Sequence, residues 1–109
     1  MSIVRQPSQA KHVKSEGAAT ATGAQAAIRV QAGMPVRVEI WGTFVGTIRV
    51  ERSGDGGTTW LPLTVAGVAA ATFTAPANER VDEENQEGAQ WRLNVTGFTS
   101  GTINWRLSA

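Results

Sequence analysis

The sequence contains no cysteine, no tyrosine and a single histidine. Without cysteine there can be no disulfide bond, no thiolate ligand for a metal ion and no cysteine nucleophile. The one histidine, His12, cannot form a cluster of imidazole ligands, and it precedes the first segment with a regular apolar pattern. A serine–histidine–aspartate relay would need that histidine held on a rigid scaffold. We therefore expect no catalytic residue, no metal site and no cofactor, and we expect that the protein is not an enzyme.

Charge is also scarce and nearly balanced. Ten basic and nine acidic residues give a net charge of +1, and charged residues make up 17% of the chain. Such a balance creates no broad electrostatic attraction for nucleic acid or for an anionic membrane. The N-terminus lacks the apolar run of a signal peptide, and no segment is apolar over the length of a membrane span. The partners that this composition favours are other proteins.

Residues 1–24 differ in composition from the rest of the chain. They include both lysines and a run of small residues, and apolar residues do not alternate with polar ones. Such a segment buries too little apolar surface to offset the conformational entropy lost on ordering. The sequence predicts an extended N-terminal arm over residues 1–24, mobile in the isolated protein and ordered in an assembly, and a domain over residues 25–109. Fully extended, the arm would reach roughly 80 Å, enough to contact a neighbouring chain.

From residue 25 onward, apolar and polar residues alternate. In one segment a single polar residue separates Trp91 from Leu93, and in another a single polar residue separates Ile103 from Trp105. A period of two is that of a β-strand with one buried face, and turn-forming residues separate such segments about every ten residues. The sequence predicts an all-β fold, namely a two-sheet antiparallel β-sandwich or jelly roll of about seven or eight strands, with Trp91 and Trp105 in its core.

The segment SGDGGTTW over residues 53–60 contains the pattern S-x-D-x-G-x-T-W. An aspartate in a tight turn accepts hydrogen bonds from backbone N–H groups, glycine allows a positive φ, and the tryptophan packs beneath the turn. The pattern is similar to the Asp-box of sialidases and many other β proteins, where it lies away from the catalytic site. We therefore interpret it as a structural turn and not as a site of activity. The residues of this turn are Ser53, Asp55, Gly57, Thr59 and Trp60.

Trp41 is in phase with Arg37 and Glu39, on the polar side of its predicted strand. An exposed tryptophan is an anchor for a ligand or partner, or it covers a neighbouring loop. Four arginines fall on outward phases of predicted strands: Arg37, Arg49, Arg92 and Arg106. Nearby acidic residues argue against a nucleic-acid backbone as their partner, which leaves protein contact or simple solvation. The candidate residues for partner contact are Trp41, Arg37 and Arg49.

Acidic residues gather between residues 79 and 87. Such a cluster could supply oxygen ligands for calcium, or the acid pair of a glycosidase. It lacks the alternating aspartates of a calcium loop, however, and its carboxylates belong to a predicted loop and not to rigid facing strands. We interpret the segment as a solvated strand edge or loop, where negative charge discourages pairing with another sheet edge.

Several segments together are similar to small virion proteins of tailed bacteriophages. These segments are WGTFVGTIRVERS at residues 41–53, the Asp-box, WRL at residues 91–93 and TSGTI at residues 99–103. The resemblance spans about residues 40–107. It implies a β-sandwich located in the virion and bound to the major capsid protein or to other virion proteins, with an arm that contacts neighbouring subunits. We also expect a homo-oligomer, with a trimer favoured.

The resemblance therefore predicts a capsid decoration (cement) protein that binds over junctions between capsid subunits. A tail, fibre-base or head–tail adaptor subunit is the alternative within the same class. A carbohydrate-binding module, in which Trp41 stacks on a sugar ring, is the alternative from a different class. Such a module would show several coplanar exposed aromatic residues, and the sequence offers only Trp41.

Overall fold

A computed structural model describes residues 12–109, and within this range the chain forms twelve β-strands and no helix. In chain order, the strands are β1 (Lys14–Ala19), β2 (Gly23–Ala24), β3 (Ile28–Val30), β4 (Pro35–Trp41), β5 (Phe44–Ser53), β6 (Leu61–Pro62), β7 (Thr64–Val65), β8 (Val68–Ala69), β9 (Thr72–Phe73), β10 (Ala77–Glu83), β11 (Ala89–Gly101) and β12 (Ile103–Ser108). Seven strands have three residues or more, and the other five have two residues each. The predicted all-β fold is confirmed.

The strands form two main antiparallel sheets. The first sheet has the order β1-β12-β4-β10, and the second has the order β2-β11-β5-β6. In addition, β3 pairs with β11, β9 pairs with β5, and β7 and β8 form a separate hairpin. One hydrophobic core draws residues from both sheets. The structure is thus the β-sandwich that the sequence predicts.

The core follows the alternation seen in the sequence. Successive side chains of a strand point to opposite faces, so that every second apolar residue lines the core. In β4, β11 and β12 the inward-facing apolar residues are at most 3% exposed. Trp91 and Trp105 are among them, so their predicted place in the core is confirmed.

The predicted boundary between arm and domain at residue 24 is wrong. β1 pairs with β12 over its full length, and β2 pairs with β11. Residues 14–24 therefore run along the sandwich and supply an outer strand to each sheet. Residues 1–11 lie outside the described residues, so that the arm stays a prediction for that segment.

β1 shows no alternation because backbone hydrogen bonds, and not buried side chains, hold it to the sheet. Of its six residues only Ala19 is buried. Gly17 leaves room for the indole of Trp105, which has an atom 3.2 Å from where a β-carbon of residue 17 would lie. A strand of this kind looks like a polar linker when only composition is considered.

β10 is the outer strand of the first sheet on the side away from β1, and it carries most of the acidic segment. Its pairing with β4 shifts register between Arg80 and Asp82. Charged side chains and a bulge both disfavour the addition of a further strand. The predicted solvated edge is confirmed for residues 79–83, where four of the five residues are exposed.

Candidate functional site

The Asp-box forms a turn closed by its own side chains. Asp55 Oδ1 accepts hydrogen bonds from the backbone N–H groups of Thr58 at 3.1 Å and Thr59 at 2.8 Å. The Ser53 hydroxyl donates to the same oxygen at 2.7 Å and accepts from the N–H of Gly57 at 2.8 Å. These bonds satisfy backbone donors that the turn leaves without strand partners.

Trp60 follows the turn and is tied to it. Its indole N–H donates to the Gly57 carbonyl at 3.0 Å. Gly57 has a φ of 97°, a conformation that favours glycine. The guanidinium carbon of Arg92 lies 4.2 Å from the centroid of the Trp60 ring. The structure therefore brings the five residues of the predicted turn together and gives them contacts within the fold.

Hydrogen bonding stabilises the charged form of Asp55. The bond from the Thr59 backbone, followed by that from the Ser53 hydroxyl, lowers the pKa of Asp55 to about 2. The pKa in the folded state is therefore below the ordinary value of about 4. Stabilisation by this carboxylate is thus fully present above about pH 4, and it is lost as the pH falls toward about 2.

We expect Asp55→Ala to lower the melting temperature at pH 7, because Thr58 and Thr59 lose their acceptor. The difference from the wild type should shrink as the pH falls from about 4 to about 2. Asp55→Asn, which keeps one side-chain oxygen, is the control and should lose less. Thermal melts across this pH range measure both effects. An unchanged melting temperature combined with the loss of a ligand would show instead that the box is a functional site.

On the outer face of the second sheet, Glu51 gathers three donors. It accepts hydrogen bonds from Arg49 at 2.7 Å, Arg92 at 2.8 Å and Asn94 at 2.9 Å, and it is 1% exposed. Burial by itself would raise the pKa of Glu51, but the bonds from Asn94, Arg92 and Arg49 outweigh burial and lower it. Arg49, a candidate for partner contact, is thereby engaged within the fold.

Glu84 is the centre of a second buried cluster. Its Oε1 accepts hydrogen bonds from Arg52 Nε and the Trp91 indole, and its Oε2 accepts from Arg52 Nη2, each at 2.7 Å. Burial by itself would raise the pKa of Glu84, but the bonds from Arg52, the Gln86 backbone N–H and Trp91 lower it to about 2. The prediction that residues 79–87 are solvated is therefore wrong at Glu84, because its partners replace water around the carboxylate.

The outer face of the first sheet carries the tryptophan that the sequence places on a polar phase. Trp41 lies at the end of β4 and is 44% exposed. Arg106, on the adjacent β12, has its guanidinium carbon 5.5 Å from the centroid of the Trp41 ring. Glu16 of β1 accepts a hydrogen bond from Arg106 at 2.8 Å, and Glu39 of β4 accepts one at 3.2 Å. Three neighbouring strands thus hold Arg106 beside Trp41.

The charges around Arg106 reinforce one another. Hydrogen bonds to Glu16 and then to Glu39 raise the pKa of Arg106, and the bond from Arg106 lowers the pKa of Glu16. A cation beside an aromatic ring is favourable. An arginine that is already oriented also loses less conformational entropy when a partner binds. The two carboxylates therefore hold Arg106 in place beside Trp41.

We term this surface the Trp41 face, and its residues are Glu16, Arg37, Glu39, Trp41 and Arg106. Arg37 and Trp41 share it because both are outward residues of β4, whereas Arg49 lies on the other sheet. Arg37 also donates to Asn78 of β10 at 2.9 Å. Sequence reasoning missed Glu16 because it assigned that residue to the arm. In the sequence, only the charge of Glu16 indicated that it could form an ion pair, and a charge does not identify the residue with which it pairs.

Among residues 12–109, no group of three or more histidine, aspartate or glutamate side chains is arranged to hold a metal ion. No helix in that range is long and apolar enough to cross a membrane. No protein-family model matches the chain, and comparisons with curated proteins and with solved structures give no match.

Proposed function

We propose that this protein is a capsid decoration protein of a tailed bacteriophage, located in the virion and bound over junctions between subunits of the major capsid protein. The observation that carries the proposal is the Trp41 face. Tryptophan and arginine are enriched among the residues that dominate binding energy at protein interfaces. Here Arg106 is already fixed beside an exposed Trp41. The resemblance of residues 40–107 to small virion proteins supplies the phage context.

Adhesion follows from the composition of this face. The Trp41 ring offers an apolar surface that would lose water on contact, and the remaining N–H groups of Arg106 would donate to carboxylates or carbonyls of the capsid. Glu16 and Glu39 would lie in the polar rim around that contact. Residues 1–11 would reach about 35 Å if extended. They would add a tethered contact with a neighbouring chain, which raises the effective concentration of the first contact.

Trp41→Ala should weaken attachment to particles by roughly 1–4 kcal/mol, because it truncates the interface anchor. Its melting temperature should change far less than that of Trp91→Ala, since Trp41 is 44% exposed and Trp91 is 1% exposed. Cosedimentation with particles stripped of this protein measures attachment. Val45→Ala, which removes an exposed apolar side chain from the second sheet, is the control.

Three results would change the proposal. Attachment of Trp41→Ala with wild-type affinity would contradict the mechanism. Attachment to tails or fibre bases in place of capsids would favour a tail, fibre-base or head–tail adaptor subunit that uses the same face. Tight binding of a glycan that is lost in Trp41→Ala would favour a carbohydrate-binding module.

A further inference from the structure

A different region, beside the second sheet, is formed by a stretch of the chain without charged residues. Between Asp55 and Glu79 the sequence has no aspartate, glutamate, lysine or arginine. Within that stretch Leu61, Val65 and Val68 are 62%, 66% and 68% exposed. Exposed aliphatic side chains in an uncharged stretch of the chain are typical of an interface core.

Two of these side chains lie on a small preformed hairpin, which we term the valine hairpin (residues 63–70). Val65 and Val68 are direct partners across β7 and β8, so their side chains project from the same face. The turn between them has positive φ angles at Ala66 (52°) and Gly67 (81°), as in a tight two-residue hairpin. The valine hairpin thus presents a narrow apolar knob.

Backbone bonds fix the base of the valine hairpin to β5. The N–H of Leu63 donates to the Val50 carbonyl, and the N–H of Val50 donates to the Ala71 carbonyl, each at 3.0 Å. The N–H of Ala70 closes the hairpin on the Leu63 carbonyl at the same distance. Because the knob is already formed, a partner that covers it has little backbone to order.

The first sheet has a hollow at one end. A cavity of about 420 Å³ lies where β1 and β4 begin and β12 ends. Its wall is mainly apolar, with Val13, Met34 and Pro35 among the lining residues. Lys14 and Arg37 supply cationic groups, and Arg37 is also part of the Trp41 face. No residue of the valine hairpin lines it. One molecule can therefore offer its cavity and its valine hairpin at the same time.

We propose that the valine hairpin of one copy inserts into this cavity of a second copy. The knob and the hollow are both apolar, and a hairpin without charge brings no cation toward the basic groups of the cavity. The carbonyl oxygens of its turn are suitable acceptors for Lys14 and Arg37. The contact joins two different patches, so each added copy leaves one hairpin and one cavity open. The addition of copies stops when the rotation that relates one copy to the next closes a ring, and a trimer is one such ring.

Sedimentation velocity of the full chain over a concentration series tests the proposal. The wild type should associate beyond the monomer as concentration rises. Changing Val65 and Val68 together to serine should raise the dissociation constant at least about tenfold, because the knob loses its apolar surface. Thr64→Ser with Ala69→Ser alters the opposite face of the same hairpin and should leave association unchanged.

A second variant blocks the cavity. Ser108 is half-buried and pairs with Lys14 on one side and Arg37 on the other. Ser108→Trp should therefore fill the hollow and weaken association by a similar factor. Lys14→Trp fills it from an exposed position on β1 and is used if Ser108→Trp does not melt cooperatively.

A mixture of the two variants shows whether the hairpin of one copy meets the cavity of another. The hairpin variant keeps its cavity and the Ser108→Trp variant keeps its hairpin, so together they should form a one-to-one dimer that does not grow. The absence of that dimer would overturn the proposal. Undiminished association of both cavity variants would overturn it in favour of a contact between two hairpins. A wild type that stays monomeric up to about 1 mM would overturn it as well.

Discussion

Glu84→Ala should lower the free energy of unfolding by about 3 kcal/mol. The substitution removes an acceptor shared by Arg52 and the Trp91 indole. Trp91 is 1% exposed, so its N–H would be left buried without a partner. Arg52 keeps 33% of its side chain exposed and can turn toward water, which holds the cost below that of a fully enclosed pair. Denaturant unfolding at pH 7 measures the change.

Glu83→Ala is the matched control for this substitution. Glu83 is the adjacent carboxylate, but it is exposed and forms a surface ion pair with Arg80 at 3.2 Å. An exposed ion pair contributes little, so the expected change is below about 0.5 kcal/mol. Equal losses in the two variants would mean that the cluster around Glu84 does not hold the fold together.

The effect of Glu84→Ala should also depend on pH. Because the folded-state pKa of Glu84 is lowered to about 2, its carboxylate stabilises the fold fully above the unfolded-state value of about 4. That contribution is lost as the pH falls toward 2, where the carboxylate becomes protonated in the folded state as well. The gap between wild type and variant should therefore narrow between about pH 4 and pH 2. A difference in unfolding free energy that grows in this pH range would contradict the lowered pKa of Glu84.

Gly101→Ala should cost about 4 kcal/mol, the sum of a strained backbone and a steric clash. Gly101 has a φ of 91°, a backbone conformation that residues other than glycine rarely adopt. A β-carbon there would collide with the Thr43 carbonyl and would lie 2.7 Å from the α-carbon of Phe44. Neither atom can move away freely, because β11 and β5 are paired at this point. Denaturant unfolding, or failure to obtain folded protein, reports the effect.

Gly33→Ala separates the two causes. Gly33 has nearly the same φ, 89°, but a β-carbon there would have no other atom within 4 Å. The control therefore carries the backbone strain alone and should cost about 1–2 kcal/mol. If both variants lost the same stability, the close approach of β5 to Gly101 would not be the reason for that glycine.

Local features of this fold are readable from the sequence because their partners are close along the chain. The Asp-box is an example, since Asp55 bonds to backbone groups three and four residues away. The core strands are another, because a period of two needs no knowledge of the neighbouring strand. Arg37 and Trp41 fall on one face for the same reason.

Features that depend on distant partners are not readable in this way. Glu84 looks like a solvated carboxylate until Arg52, 32 residues away, is brought against it. Arg106 is separated from Glu16 by 90 residues, so the Trp41 face emerges only when β1, β12 and β4 are adjacent. The same pairing changes how the N-terminal segment should be tested. A deletion of residues 1–20 would remove β1, whereas a deletion of residues 1–11 leaves it intact.

The pairing of β1 with β12 also delays completion of the first sheet while the chain is being synthesised. The two strands lie at opposite ends of the described chain, with Lys14 opposite Ser108. During translation β1 leaves the ribosome before β4, β10 and β12, so it is synthesised well before its partner. Closing so long a loop is slow compared with forming local hairpins. The first sheet therefore remains incomplete until β12 has emerged, because β1 has no partner and the β12 side of β4 is open.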